Sequence, residues 1–314
     1  MDNSQNQSED FLKYYKQTKQ RVDIDIDLEK TSIIGLTKLT FIPKEINNIQ
    51  NQDYILKLNA ENIYIKSVYI IKKDEDIVNL TFKNTNPYYT KSYLEDLYQN
   101  IEEIESFRNV NRVEWEIRNA GNIIIKIPFK SLNESNKIKL KIEYELMENN
   151  IGIVFQSFYE ERIDTEHKIC YTPNFYCNTS NWVPCIYDLK VQVYWRLYLF
   201  IPNDYMGYSS CQMIKIVQGK NNKKLIVNYS LEPITARNIG FIVLNEKIFT
   251  RISDNCNKSF LIVANENKKE RIEKNLISNK LISTLYNFYD EFFDINETST
   301  KSNLYIPTLI VFIP

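Results

Sequence analysis

Histidine is almost missing from this chain: among 314 residues there is one, His167. A catalytic zinc of the H-E-x-x-H type takes two histidines one helical turn apart plus a carboxylate, so the chain cannot assemble that centre from its own residues. Glycine and proline are scarce as well, at 6 and 9 residues, which excludes collagen-like and low-complexity classes. The glycines at 35, 121, 152, 207, 219 and 240 stand apart, and Gly219-Lys220 lacks the rest of a phosphate-binding loop. Neither sign of charge dominates. With 39 basic and 40 acidic residues, no polyanion-binding footprint exists at whole-chain level, which leaves only local patches.

Long apolar runs are also absent, and the segment Leu304–Pro314 falls short of the roughly 20 residues a membrane-spanning helix requires. The opening Met1–Asp10 is polar and acidic, without the apolar centre of a signal peptide, so a soluble, intracellular protein is expected. In that setting the five cysteines, at 170, 177, 185, 211 and 256 without C-x-x-C spacing, read as buried free thiols.

What the chain does have is hydrophobic residues, at 43%, and aromatics, at 13%, with 22 Tyr and 16 Phe. They are arranged mostly at period two. Residues 1–20 read as a polar tail in which Phe11, Leu12, Tyr14 and Tyr15 form a short amphipathic turn. From Arg21, the residues Val22, Ile24 and Ile26 alternate with Asp23, Asp25 and Asp27, the signature of a strand with one wet face. Further strands are predicted at 33–42, 54–58, 63–71, 77–82, 113–117, 123–127, 138–146, 151–158, 191–201, 212–217, 224–231, 239–244 and 260–264, on β-branched and aromatic content. Two helices interrupt them. Tyr93, Leu94, Leu97, Ile101 and Ile104 repeat at helical spacing, as do Ile272, Leu276, Leu281, Leu285, Phe288 and Phe292 after the charged linker 265–270. A strand at 308–313 follows. Many strands at short spacing imply packed antiparallel sheets. The expected organisation is a tail over 1–20, a β-domain over 21–266 with an inserted helix near 91–106, and the opening of an α/β unit over 267–314 that continues in residues beyond Pro314.

Chemistry is hard to find. His167 and Cys170, Cys177 and Cys185 offer zinc-ligand types, but at spacings that match no familiar structural site. His167 and Cys170 lie three apart, so an extended chain points them to opposite faces, against a nucleophile–base pair. Glu102-Glu103 and Glu160-Glu161 are consecutive surface charges. Lys215, Lys220, Lys223 and Lys224 cluster on a predicted hairpin around Gln218-Gly219-Lys220-Asn221-Asn222-Lys223; they read first as a solvated turn and second as candidate contacts to DNA or a partner. Trp182 and Trp195 read as core aromatics. No cofactor is implied.

The block from Cys170 to Cys185 resembles the aromatic-Pro-Cys landmark of aminopeptidase-N-type β-domains. Arg21-Val22-Asp23 with 33–43 after it, Gly152-Ile153-Val154-Phe155, the strand 189–201 and the segment 232–240 resemble neighbouring parts in the same order. Tyr176, Asn178, Trp182, Pro184 and Cys185 are similar to the version found in the subunit-2 family of the general transcription factor TFIID, with Val183 in place of an aromatic. That resemblance implies a mainly β, aminopeptidase-like body acting as a non-enzymatic nuclear scaffold, with TBP-associated factors, TBP and core promoter DNA as partners. In active peptidases of this kind the loop carries polar groups that hold the substrate's amino terminus. Pro173 and Phe175 stand in those places here, and neither can pair with a buried ammonium. Two other readings stay open: the amino-terminal portion of an active zinc aminopeptidase, and an unrelated β-rich interaction module.

Overall fold

Alternation of apolar and polar side chains dictates the architecture of the computed structural model. It describes residues 9–44, 53–71, 77–84, 122–132, 137–146, 152–160, 165–173, 178–219, 222–252, 260–265 and 308–312. In chain order the strands are β1 (Glu9–Asp10), β2 (Tyr15–Asp27), β3 (Ser32–Pro43), β4 (Tyr54–Leu58), β5 (Ile63–Ile71), β6 (Ile77–Asn79), β7 (Phe82–Asn84) and β8 (Ile123–Ile127). There follow β9 (Ile138–Leu146), β10 (Val154–Glu160), β11 (Thr165–Tyr171), β12 (Gln192–Pro202), β13 (Tyr205–Ser209), β14 (Gln212–Gln218) and β15 (Lys223–Tyr229). The last are β16 (Ile234–Thr235), β17 (Phe241–Asn245), β18 (Phe249–Ile252), β19 (Phe260–Asn265) and β20 (Thr308–Phe312). One helical turn, α1 (Phe11–Tyr14), lies between β1 and β2.

The largest sheet runs β14-β15-β12-β2-β3-β9-β5-β6, with β16 on the end of β12. Two four-stranded sheets, β1-β4-β8-β7 and β10-β11-β17-β13, pack against it. The inward sides merge into one core that joins Val22, Leu39, Leu140, Trp195 and Leu199 of the large sheet to Leu56 and Ile125 of the first small sheet and Cys170 and Val243 of the second. The mainly β architecture of packed sheets expected from the sequence is therefore present. The sheets are mixed, however, because β2 pairs with β12 in parallel and β1 with β4 likewise.

The turn between β2 and β3 is held by Asp27, whose Oδ1 accepts from the backbone of Glu29 at 3.1 Å and Lys30 at 3.0 Å. Gly35 is required where β3 passes under Tyr144: a Cβ there would lie 2.1 Å from the ring. Such contacts make the β3–β9 register specific, since a slip by one residue would put every inward group outside.

The polar tail expected over 1–20 is corrected from residue 9 onward. Phe11 is fully buried and stacks on Tyr15 at 4.4 Å, with Phe41 edge-on at 5.1 Å and Tyr14 against Tyr54 at 5.4 Å. Burying a ring of that size contributes about 1.5–3 kcal/mol. β2 begins at Tyr15, not Arg21, and its period-two signal is hidden for two reasons. Its inward positions Gln17 and Gln20 are polar, and a bulge between Gln17 and Lys19 shifts the phase by one.

Strands at 54–58, 63–71, 123–127 and 138–146 occur with the predicted bounds. The predicted strand 77–82 is two short ones, β6 and β7, in different sheets. β11, β13 and β18 carry no predicted counterpart. The strand at 113–117 and the helices near 91–106 and 271–293 lie outside the described residues. A three-stranded sheet, β18-β19-β20, pairs β20 in parallel with β19 and so straddles the expected boundary at 266–267.

Candidate functional site

The landmark block folds into a 3-10 turn, Thr179–Asn181, whose polar side chains all bond inside the fold. Asn178 caps the turn: its side chain accepts from the Asn181 backbone, while its own backbone N–H donates to Asn181 Oδ1 at 2.8 Å. Tyr187 Oη donates to Asn178 Oδ1 at 2.7 Å. The Thr179 hydroxyl donates to the carbonyl of Ala236. Asn181 Nδ2 donates to Glu61 Oε2 at 3.2 Å, Ser180 Oγ reaches Glu61 Oε1 at 3.5 Å, and the Glu61 backbone donates to the Ser180 carbonyl at 2.8 Å.

Two further attachments fix the turn. Asn59 and Cys185 exchange backbone bonds of 2.8 and 3.0 Å in an antiparallel bridge. From the large sheet, Gln20 Nε2 donates to the carbonyl of Pro184 at 2.9 Å and to Thr37 Oγ1 at 3.0 Å, while Gln17 donates to Gln20 Oε1 at 3.1 Å. Gly152 passes so close that a Cβ would sit 2.6 Å from the Asn181 backbone. Trp182 is buried edge-on to Phe241 with centroids 5.4 Å apart, and Trp195 is buried with its Nε1 donating to Ile234 O at 3.2 Å, so both are core aromatics as expected. The block is therefore a buried junction that holds the large sheet, the β4–β5 corner and the 236–241 segment together. Pro173 is partly buried at its entrance, whereas Phe175, Tyr176 and Cys177 lie outside the described residues.

His167 and Cys170 both sit on β11, a strand whose polar sequence Thr-Glu-His-Lys gave no apolar alternation to find it by. Their odd separation sends them to opposite faces. Cys170 is fully buried, while His167 Nδ1 contacts Asn245 Nδ2 at 3.5 Å on the other side. Burial pushes the Cys170 and Cys185 thiols far above their ordinary value, with Glu61 adding to the effect at Cys185, and Cys211 is pushed up to about 12. Such thiols are neutral and poor as nucleophiles or ligands. No group of three or more His, Cys, Asp or Glu gathers into a metal-ligating cluster among the described residues, which include His167, Cys170 and Cys185.

The four candidate lysines separate. Lys215 is exposed on edge strand β14 and Lys220 lies outside the described residues. Lys223 pairs with Asp25 on the outer face of the sheet. Lys224 is withdrawn as a DNA or partner contact. It points to the core side beside Ile226, is 5% exposed and pairs with Glu246. Alternation along β15 makes this unavoidable, because successive residues face opposite sides.

No known protein family matches this sequence, and no curated protein matches it either. Among solved structures, native leukotriene A4 hydrolase from Saccharomyces cerevisiae is similar with a TM-score of 0.56 and 9% identity, over 83% of this chain and 33% of that one. The two share a fold across that region, and the chain spans one third of the neighbour's length.

Proposed function

We propose that this chain is a non-enzymatic scaffold, a peptidase-shaped subunit of a TFIID-like assembly that supports complex formation and promoter recognition in the nucleus. The observation that carries the reading is the landmark block. Asn178, Thr179, Ser180 and Asn181 are all consumed by bonds to Tyr187, Ala236 and Glu61, and Pro173 stands where a substrate-holding polar group is expected. A loop built this way joins elements. Among its described residues, the side chains of 178–181 are already engaged inside the fold rather than directed at a substrate ammonium, whose burial without partners is costly. Its partners on this reading are TBP-associated factors and TBP, with promoter DNA contacted lightly, since the chain's net charge is -1.

The test is affinity capture of the tagged full chain from nuclear extract with quantitative mass spectrometry. Co-enrichment of TBP and its associated factors is expected, and their absence overturns the proposal. A second reading, the amino-terminal portion of a zinc aminopeptidase, is favoured by one observation: the structural neighbour is an enzyme of which this chain covers only 33%. Zinc-dependent release of amino acids from a peptide by the purified full-length protein decides for it.

A further inference from the structure

The outer face of the large sheet carries four cations side by side. Arg196 on β12 is register-paired with Arg21 on β2, Arg21 with Lys38 on β3, and Lys38 with Lys141 on β9. Tyr229 flanks the row beyond Arg196 and Tyr69 beyond Lys141. In the adjacent row Lys19 and Lys139 flank Thr40. Directly opposed like charges destabilise a sheet, so an uncompensated row of this kind calls for an anion.

The compensation inside the chain is incomplete. Arg21 is held by Asp23 through bonds of 2.6 and 2.9 Å, and Lys141 by Glu143 at 2.9 Å. The guanidinium of Arg21 stacks 3.9 Å from the Tyr198 ring centre and that of Arg196 4.8 Å from Tyr229, which fixes both planes. Lys19, Lys38 and Lys139 have no ion pair among the described residues. Lys38 is the centre of the imbalance. Burial pushes its pKa down, and Arg21, Lys141 and Lys139 add to that against the opposing pull of Asp23.

We propose that this row, with Lys139 of the adjacent row beside its β9 end, is a docking strip for an extended acidic segment of a partner polypeptide, with its carboxylates seated over Arg196, Lys38 and Lys139. The fit is metric as well as electrostatic. Four neighbouring strands span roughly 14 Å, and same-side residues of an extended chain recur at roughly 7 Å, so acidic side chains at alternate positions place three carboxylates along the row. A nucleic acid fits less well: it bears a charge at every nucleotide, and the next row along the strands presents Asp23 and Glu143. The proposal does not depend on the scaffold reading.

The test uses the purified full chain and a fluorescein-labelled peptide with glutamate at every second position, followed by anisotropy at low and physiological salt. Binding that weakens with salt, falls at least about tenfold on Lys38→Glu or Lys139→Glu, and is unaffected by Lys215→Glu on the edge strand is expected. In the absence of peptide, Lys38→Gln should raise the melting temperature by about 1–2 °C through relief of repulsion, a gain that a purely structural lysine would not give. Lys139 is exposed, so its variant keeps the test open should Lys38→Glu fail to fold. Absence of peptide binding at low salt, equal binding by Lys139→Glu, or displacement of the peptide by a smaller concentration of single-stranded oligothymidylate each overturns the proposal, the last in favour of a nucleic acid.

Discussion

Gln20 and Pro184 meet across 164 positions of sequence: the side-chain amide of the first donates to the backbone carbonyl of the second at 2.9 Å, inside the core. The Pro184 carbonyl is an acceptor turned into the core, and the inward glutamine of β2 supplies its donor. That inward glutamine is also what hid the start of β2 from the alternation pattern.

Replacing Gln20 with leucine should therefore cost about 1–3 kcal/mol, because the Pro184 carbonyl and Thr37 hydroxyl lose their buried donor. Gln17→Leu should cost less, since among the described residues its side chain donates to Gln20 alone. Urea unfolding of the two variants side by side checks the order, and equal costs would remove Gln20 from its role as the link.

Gly35→Ala should lower stability by about 1–3 kcal/mol, as the new methyl would overlap the fully buried Tyr144 ring at 2.1 Å. Tyr144→Phe should act in the other direction. The Tyr144 hydroxyl has no hydrogen-bond partner among the described residues, and its removal is expected to stabilise by about 1 kcal/mol in the same assay.

Cys170, Cys185 and Cys211 should resist thiol reagents at pH 8 in the folded protein and react at once in denaturant. Mass mapping of alkylated peptides reads this directly. Rapid native labelling of Cys185 would mean that the Asn59–Cys185 bridge opens.

Glu143 is held below the usual carboxylate range by hydrogen bonds from Lys141, then Tyr69 and Ser67. A depressed native value means that the stabilisation is complete above the ordinary glutamate pKa and is lost as pH falls through the native one. Glu143→Gln should therefore flatten the acid side of the stability profile while leaving its alkaline side in place, as thermal melts from pH 3 to 7 would show.

Much of the fold was legible because one face of most strands is wet. Residues 138–146 alternate strongly, 63–71 are rich in β-branched and aromatic residues, and the bounds of both were readable; so was the helical turn at Phe11–Tyr14. Legibility failed where tertiary contacts override local pattern. β11 is polar along its first half, β13 is short and contains Gly207, and the polar residues of the landmark block are buried by long-range bonds that no local window contains. The lysine cluster divided for a simpler reason. Neighbouring residues of a strand face opposite ways, so Lys223 and Lys224 cannot belong to one surface. The cation row was invisible in the sequence because it runs across strands: Arg21, Lys38, Lys141 and Arg196 become neighbours only through register.

The parallel seam between β2 and β12 has a cost during synthesis. Lys19 leaves the ribosome long before Tyr194, its partner, has been made, and at about 5–20 residues per second the interval is on the order of ten to thirty seconds. Throughout it, the nascent β2 can zip to β3 on one side while its opposite flank stays bare in a crowded cell. In a protein wired in this way an unpaired strand flank persists until the second half arrives, so yield on expression should respond to that wait as well as to the strength of the finished core.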